Sequence, residues 1–551
     1  MFRLSRILAS LVVMLLFASM ASAQKHSLSS TQVNVLTYHN DIQRTGLNPL
    51  ETTLAPGNVN TATFGKVNFL ATSDRVRVEP LYVTGLTING AVHNVVYVED
   101  DSDDVYAFDA DDGTLLWQTN VLGLMETPAP FSGTCPNAGN PGIVGTPVID
   151  LNAGQNGAIY FVAASYGGLF PVYHHRLHAL DLTTGAELFN GPTEIRATYP
   201  GTGDNSFDGS VIFDPAKYFV RASLLESRGN IFFAFTSLCD QRPYTGWVMQ
   251  YSGSNLQQLS VLNVTPNGDS GAVWQSGGGI AADDAGYLYI LDANGTFDTT
   301  LNSYGFPQLG DFGNSMLKIS GSASTPMTVV DYFAMYNTVD ESGQDSDLGS
   351  SGPMVIDVPG AGGTPLVHLV IGAGKDGDMY IADRDNMGKW NPVDNRNIYQ
   401  DFSNAMPTGN FSMPAFFNNT IYYGALYSPI QGFPVSLGMV QPATTQTNNT
   451  FTYPGTTPSI SSNLSSNGIV WAIENGRGSD NSVLHAFDAT DLTNELYNSN
   501  QNANRDQLGP GNKFITPMIA NGKVYVSTKT GVAVFGLLNQ SPRRPNTIGL
   551  R

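Results

Sequence analysis

Short runs of apolar residues alternate with turns along most of the chain, and one three-part pattern returns eight times. In its clearest copy, Val95–Val98 precedes an acidic turn, Val105–Asp109 follows the turn, and Gly113–Trp117 completes the unit. Alternating apolar residues, a tight turn and a second turn with glycine predict consecutive antiparallel strands. A unit of this size cannot bury both faces of its own sheet, so the repeats predict sheets packed side by side.

The strand that opens each unit is usually marked by a proline, which a strand tolerates at its first residue because no ladder N–H is needed there. These prolines are Pro80, Pro147, Pro353, Pro414, Pro458 and Pro517. Two units lack the proline, at Ala222-Ser223-Leu224 and Gly278-Gly279-Ile280, and the sixth unit's third strand is recognisable only near Phe433-Pro434-Val435. We predict an all-β, eight-bladed β-propeller of four-stranded antiparallel blades. Seven blades, a β-sandwich array or a solenoid are the alternatives.

The last unit has no outer strand of its own. After Phe535 the chain soon becomes Pro542-Arg543-Arg544-Pro545, which cannot form a central strand. Phe64–Phe69 lies just before the first proline-marked strand, and we predict that it supplies the missing strand. A ring closed in this way by the N-terminal segment leaves no exposed sheet edge.

Both ends of the chain are predicted to lie outside the propeller. Arg3 and Arg6 precede an apolar run over 7–18, and Ala21-Ser22-Ala23 supplies small residues for cleavage. The predicted segments are a signal peptide (1–23), an N-terminal extension (24–63), the propeller (64–538) and a flexible C-terminal tail (539–551). No later stretch is predicted to be transmembrane. We therefore expect an exported protein, periplasmic or extracellular.

Charge and cysteine content narrow the function. The formal net charge is −20 and only 13% of the residues are charged, so the basic surface that nucleic-acid binding requires is not expected. Cys135 and Cys239 are the two cysteines. In an exported chain an even number favours a disulfide between them, and two free thiols are the alternative.

Strand order predicts which loops share a face. Loops between second and third strands and connections between units lie together on one face, here called the upper face. The short turns Asp109–Gly113 and Asp181–Gly185 lie on the other face. The upper loops are long and polar, and variable loops on a rigid scaffold usually carry binding sites. We expect these loops to engage a protein, a glycan or a small molecule.

Three segments, Ala107–Trp117, Ala179–Phe189 and Gly374–Arg384, resemble a known family, the quinoprotein alcohol dehydrogenase-like propellers built from PQQ repeats. Ala107–Trp117 resembles the family's tryptophan docking motif, and Ala179–Phe189 repeats it with Phe189 in the tryptophan position. Gly374–Arg384 is similar to the family's Lys-x-Gly-x-x-Tyr-x-x-Asp-Arg segment. The resemblance implies an eight-bladed propeller. It also implies, as the alternative function, a periplasmic dehydrogenase that uses pyrroloquinoline quinone (PQQ) and calcium to oxidise an alcohol or a sugar.

The family's active site carries over only in part. The resemblance implies that Lys375 contacts the quinone, that Asn294 ligates calcium beside the cofactor, and that Asp311 is the catalytic base. The calcium-ligating glutamate is not matched in Ser165–Gly168, and the tryptophan beneath the quinone does not follow Gly277-Gly278-Gly279. Neither an adjacent cysteine pair nor a Cys-x-x-Cys-His haem segment occurs. We therefore expect no cofactor, and a binding or scaffolding module in preference to the dehydrogenase.

An acidic hairpin in the first unit is a separate candidate. It contains Asp100, Asp101, Asp103 and Asp104. Oxygen-rich loops can hold calcium, so a surface calcium site is one hypothesis. Solvated charges at a hairpin tip are the other.

Overall fold

The structure is a computed structural model, and it describes residues 33–130, 140–237, 239–321, 325–363, 365–476 and 478–538. The predicted signal peptide, the C-terminal tail and Cys135 lie outside these ranges. Of the helices within them, none has the length and apolarity that crossing a membrane would require.

Antiparallel sheets follow one another along the described chain, and in each sheet neighbouring strands are mostly consecutive in sequence. We number them sheets 1 to 8 in chain order. The strands of sheets 1 to 4 are, in turn, Leu81–Ile88, Ala91–Glu99, Asp104–Asp109 and Leu115–Asn120; Val148–Asp150, Ala158–Gly167, Val172–Asp181 and Thr193–Glu194; Leu225–Ser227, Asn230–Ser237, Trp247–Ser252 and Gln258–Asn263; and Ala281–Ala282, Tyr287–Leu291, Ser315–Ser320 and Val329–Ala334. The strands of sheets 5 to 8 are Met354–Pro359, Leu366–Ala373, Met379–Asp383 and Gln400–Phe402; Ala415–Phe417, Thr420–Tyr423, Gln431–Ser436 and Met439–Val440; Ser459–Asn463, Ser466–Glu474, Val483–Asp488 and Asp491–Asn498; and Met518–Ala520, Lys523–Ser527, Gly531–Leu537 and Phe64–Ala71.

Short elements decorate these sheets. Added strands are Glu126–Pro128 on sheet 2, Tyr218–Phe219 on sheet 3, Lys389–Trp390 on sheet 4, Thr445–Gln446 on sheet 6 and Leu47–Asn48 on sheet 7. Thr198–Pro200, Ser206–Phe207 and Ser210–Ile212 form a separate small sheet. Within the described ranges, the helices are the α-helices Thr338–Gly343 and Ala503–Asp506 and the 3₁₀ turns Pro215–Lys217, Gln275–Gly277, Leu348–Ser350, Ala361–Gly363 and Ser499–Asn502.

The predicted β-rich fold is confirmed, and the core explains its sequence pattern. Val95–Val98 is buried at every residue, because both faces of this strand are covered. One apolar cluster joins sheets 2 and 3 through residues such as Tyr160 and Phe233, and another joins sheets 5 and 6 through Ile371 and Tyr423. Each sheet thus buries its faces against its neighbours, as the repeat pattern requires.

The N-terminal strand occupies the place that the sequence predicted. Phe64–Ala71 pairs antiparallel with Gly531–Leu537, in a register that runs from Phe64 opposite Leu537 to Ala71 opposite Gly531. The last sheet therefore contains strands from the two ends of the described chain.

The N-terminal extension has a role that the sequence analysis did not predict. Residues 35–48, here called the N-terminal plug, contact the opening strand of every sheet or the residue just before it. The contacts of sheets 1 to 8, in order, join Val35 to Tyr82, Leu36 to Ile149, Arg44 to Leu224, Ile42 to Ala282, Gln43 to Val355, Thr45 to Phe416, Gly46 to Ile460 and Asn48 to Ile519. The plug therefore lies where the opening strands of the eight sheets converge.

Candidate functional site

A cavity of about 1230 Å³ lies where loops of the upper face converge. Ser237, Asn294, Lys375 and Asn475 line it from the ends of second strands or the loops that follow them. Most other lining residues lie in connections between sheets. The cavity is thus built from the loops that the strand order assigns to ligand binding.

Four aromatic side chains form a closed ring in the cavity wall. Trp274 meets Phe411 and Phe514 at centroid distances of 6.0 and 5.6 Å. Tyr453 meets the same two phenylalanines at 5.7 and 6.4 Å. All four pairs are edge-to-face, the geometry in which the ring quadrupoles attract. Trp274 was not predicted from the sequence, because a tryptophan was expected after Gly277–Gly279 and Trp274 precedes these glycines.

Basic side chains outnumber acidic ones in this cavity. The lining contains Arg75, Arg77, Arg221, Lys375, Lys513 and Lys529 against Asp240, Asp345 and Asp347. Three of the cations lie over the aromatic ring: Lys375 Nζ is 5.9 Å from the centroid of Phe411, Arg221 Cζ 5.9 Å from Phe514, and Lys513 Nζ 4.7 Å from Tyr453. In a chain of net charge −20, such a concentration of positive charge indicates an anion-binding site.

Most of these cations have no carboxylate partner. Within the described ranges, no carboxylate lies at ion-pair distance from Arg75, Arg221, Lys513 or Lys529. Arg221 instead donates to the carbonyl of Val144 at 3.0 Å, and burial lowers its pKa to about 10. Arg221 therefore remains charged at neutral pH.

Asn294 and Lys375 meet through a residue that the sequence analysis did not single out. Asn294 Nδ2 donates to Asp345 Oδ1 at 2.8 Å, and Lys375 Nζ lies 2.7 Å from the same oxygen and 2.5 Å from Asp347 Oδ1. Burial raises the pKa of Asp347 to about 6, against the opposing effect of Lys375. Burial alone would lower the pKa of Lys375, but the carboxylates of Asp347 and Asp345 outweigh it and raise that pKa.

A sequence signal for these carboxylates existed. Asp345-Ser346-Asp347 lies in the connection just before the proline-marked strand of sheet 5. Such a connection between sheets belongs to the upper face, whose loops line the cavity. Two carboxylates in this pattern were therefore candidates for the cavity.

Asp311, the predicted catalytic base, is not among the residues that line the cavity. It is buried and accepts a hydrogen bond from the amide of Asn267 at 2.8 Å. Burial raises its pKa to about 6. The structure thus brings Asn294 and Lys375 together at the cavity wall but leaves Asp311 behind it.

The position expected for a calcium-ligating glutamate holds a different arrangement. The hydroxyl of Ser165 donates to Glu126 Oε2 at 2.8 Å. Arg176 forms two hydrogen bonds, of 2.7 and 2.8 Å, to the same carboxylate and lowers its pKa to about 2. The carboxylate of Glu126 therefore binds Arg176, and Glu126 does not line the cavity.

The acidic hairpin is buried rather than solvated. Asp100, Asp101, Asp103 and Asp104 are each at most 6% exposed, so the predicted surface location is wrong. Asp101 is held by Arg77 at 2.8 Å, whereas the carboxylate of Asp103 has no hydrogen-bond partner and its pKa is raised well above the usual range by burial. No three or more His, Cys, Asp or Glu side chains of the described ranges are grouped to hold a metal. Calcium binding at this hairpin stays a prediction.

The disulfide also stays a prediction. Cys239 lines the cavity, but Cys135 lies outside the described residues.

Consecutive meander sheets with a cavity at the convergence of their loops are typical of the β-propeller class. No family profile and no curated protein matches the chain. Among solved structures, it is similar to quinohemoprotein alcohol dehydrogenase from Comamonas testosteroni, with a TM-score of 0.59, 14% identity and coverage of 93% of this chain and 82% of that one. It is also similar to quinohemoprotein alcohol dehydrogenase ADHIIG from Pseudomonas putida HK5 (TM-score 0.55, 13% identity, 93% and 82% coverage).

A europium-containing methanol dehydrogenase is similar as well, with a TM-score of 0.55, 13% identity and coverage of 93% of this chain and 99% of that one. At such identities the likeness shows a shared fold. The predicted resemblance to quinoprotein alcohol dehydrogenase-like propellers is confirmed at that level.

Proposed function

We propose that the chain is an exported eight-bladed propeller, closed by Phe64–Ala71, that binds a PQQ-type cofactor and oxidises an alcohol or a sugar. The observation that carries this proposal is the ring of Trp274, Phe411, Tyr453 and Phe514. It is flanked by Arg221 and Lys513, which have no carboxylate at ion-pair distance within the described residues. The fold shared with three quinoprotein dehydrogenases supports it.

The cavity fits the demands of such a cofactor. A flat quinone with three carboxylates needs aromatic surface and several cations. The expectation of no cofactor rested on the unmatched glutamate and tryptophan, whereas Trp274 lines the cavity and Arg221 and Lys513 join Lys375 at its aromatic ring. The cavity of about 1230 Å³ also exceeds the roughly 300–1,000 Å³ of ordinary ligand pockets. When bound, the quinone would supply the acceptor for the two electrons of an alcohol oxidation.

Asp347 takes the role of general base in this proposal. It is the buried carboxylate of the cavity wall, and a pKa of about 6 leaves it ionised at pH 7 yet basic enough to accept a hydroxyl proton. Lys375, 2.5 Å away, fixes the carboxylate and places positive charge where negative charge develops on the substrate.

The same wall offers oxygen atoms for a hard cation. Asn294 Oδ1 is buried and has no hydrogen-bond partner, and the carboxylates of Asp345 and Asp347 lie beside the Asn294–Lys375 contact. Amide and carboxylate oxygens suit calcium, and one similar structure contains europium. Asn294 and Asp345 would hold the ion, which leaves Asp347 available as the base. Without a glutamate at Ser165, cofactor and solvent would complete its ligand shell.

A binding or scaffolding module without a quinone is the second candidate. It is favoured by the double ion pair of Lys375, which already neutralises the carboxylates that a metal and a substrate would need. In that case the cavity would bind an anionic aromatic ligand without redox chemistry.

Titration with PQQ, alone and with calcium or europium, tests the proposal by calorimetry. We expect micromolar or tighter binding that weakens at least tenfold in Trp274→Leu. The matched control is Trp390→Leu, because Trp390 lies on sheet 4 and does not line the cavity.

The loaded protein should reduce an artificial electron acceptor with an alcohol or sugar. Asp347→Asn should abolish this reduction while it keeps quinone binding. Absence of quinone binding in the folded wild-type protein would contradict the proposal and favour the binding module.

A further inference from the structure

Three basic side chains of the cavity make no cation–π contact with the aromatic ring within the described residues. Arg75 and Arg77 lie between the N-terminal strand and sheet 1, and Lys529 lies in the turn between the second and third strands of sheet 8. Backbone hydrogen bonds of 3.2 and 3.1 Å tie these two segments together, from Thr72 to Thr530 and from Val76 to Thr528. We call Arg75, Arg77 and Lys529 the basic wall.

Carboxylates neutralise only part of the positive charge of the basic wall. Arg77 is bound by Asp101 at 2.8 Å. Arg75 and Lys529 have no carboxylate at ion-pair distance in the described part of the chain. Burial and the neighbouring charge of Arg77 lower the pKa of Arg75, against the opposing effect of Asp101 and Asp74. Like charges held side by side cost free energy, and a bound anion would offset that cost.

The basic wall adjoins the proposed quinone site, because Asn512, next to Lys513, donates to the carbonyl of Val76 between Arg75 and Arg77 at 2.7 Å. The cation–π contacts to the ring come from Lys375, Arg221 and Lys513, and none involves a residue of the basic wall among the residues described. The cavity is also larger than one ligand usually fills. A second ligand therefore has both space and unpaired cations.

Access to the cavity also favours a role for the basic wall in binding an incoming anion. The N-terminal plug fills the convergence of the opening strands, so a ligand reaches the cavity through the upper loops, where the basic wall lies. Cations at the mouth of a cleft raise the local concentration of anions. That effect matters in a chain whose net charge of −20 repels anions elsewhere.

We propose that the basic wall binds the anionic group of the substrate, which is thus an alcohol or sugar bearing a carboxylate or a phosphate. Guanidinium groups match the planar or tetrahedral oxygens of these anions. That the bound anion belongs to a substrate rests on the proposed function, but anion binding at the basic wall can be measured without any quinone.

Matched sugars test the subsite by calorimetry on the full chain without quinone. Gluconate and glucose have the same carbon number and differ in a carboxylate, and glucose 6-phosphate provides the phosphate arm. We expect gluconate or glucose 6-phosphate to bind at least tenfold more tightly than glucose, with the preference declining as salt is added. The tighter of the two identifies the anion.

Variants assign the preference to residues. Arg75→Gln with Lys529→Gln should remove it, and each single change should weaken anion binding about tenfold, as loss of a charge-assisted hydrogen bond does. Arg75→Lys with Lys529→Arg keeps both charges and should keep the preference, which guards against misfolding of the first variant. Lys217→Gln, outside the cavity, is the neutralising control and should have no effect.

Equal affinities for glucose and both anions, or a preference that survives the double neutralisation, would overturn the inference. Its failure is distinguishable from failure of the proposed function. Anion preference without PQQ binding would leave the subsite and remove the dehydrogenase. PQQ binding without anion preference would do the reverse.

Discussion

Arg44 of the N-terminal plug is the residue whose loss should destabilise the protein most clearly. Its side chain is fully buried. The guanidinium donates to the carbonyl of Leu224 beside sheet 3 at 3.1 Å and to that of Ile280 beside sheet 4 at 2.9 Å. Further hydrogen bonds of 2.7 Å run to Thr37 Oγ1 and the carbonyl of Tyr38. We predict that Arg44→Met loosens the plug from both sheets.

The size of the effect follows from the groups left without partners. Each buried carbonyl that loses its donor costs about 1–3 kcal/mol, so the carbonyls of Leu224 and Ile280 together cost about 2–6 kcal/mol. Burying a guanidinium is itself unfavourable, and burial lowers the pKa of Arg44 to about 10. Methionine carries no charge to bury, and its side chain fills part of the space of the arginine. We therefore expect a net loss of about 3 kcal/mol in the free energy of unfolding.

Urea unfolding followed by tryptophan fluorescence measures this loss. Because a chain of this length need not unfold in two states, the unfolding rate at fixed urea should be compared as well. Arg396→Met is the matched control: the side chain of Arg396 is 88% exposed and pairs with Asp394 at the surface, where an ion pair contributes about 0–1 kcal/mol. Coincident unfolding midpoints and rates for the two variants would refute the role assigned to Arg44.

Three further predictions concern the chain ends, the cysteines and pH. Deletion of all residues up to Ala71 removes the outer strand of sheet 8 and the plug and should cause aggregation, whereas deletion of residues 1–32 should not; a monomeric longer deletion with unchanged melting would contradict the pairing seen here. Cys135 and Cys239 are predicted to be bridged, so fresh, non-reduced protein in denaturant should show no reactive thiol, and two reactive thiols would exclude the bridge. Glu99 is buried without hydrogen bonds to its carboxylate, and burial raises its pKa to about 8. Its folded pKa lies above its unfolded one, so the stability that Glu99 contributes is present below about pH 4.5 and is lost as the pH rises through about 8. Glu99→Gln should therefore raise the melting temperature at pH 9 and leave it nearly unchanged at pH 5. Equal shifts of the melting temperature at both pH values would disprove this titration of Glu99.

The elements predicted best from the sequence are those encoded locally. Pro80 and Pro353 directly precede the opening strands of sheets 1 and 5, because proline is tolerated at that position and few others. Apolar alternation located the second strands, and even the weak segment around Phe433 lies in a strand, Gln431–Ser436. The pairing of Phe64–Ala71 was predictable because an unfilled position in the last sheet demanded a strand.

The features that were missed depend on distant parts of the chain. Trp274, Phe411, Tyr453 and Phe514 stand in different connections between sheets, and no sequence spacing relates them. The plug is an irregular segment without periodic spacing of apolar residues, so no local sequence pattern predicts its hydrogen bonds to eight sheets.

The acidic hairpin was misjudged for a similar reason. Charged hairpin tips are normally solvated, and the residues that cover Asp103, such as Gly142, come from the following connection. Burial of the hairpin by a later segment of the chain cannot be predicted from the hairpin's own sequence.

The pairing of Phe64–Ala71 with Gly531–Leu537 also sets an order of events during synthesis. The strand that completes the last sheet emerges first, and its partner emerges almost last. Sheets 1 to 7 can form as they appear, but one strand near the N-terminus must wait for nearly the whole chain, and the plug can make all its contacts only then. Contacts of such long range slow folding and leave strand edges open in the meantime. We therefore expect the newly made chain to depend on chaperones until its final strand has arrived.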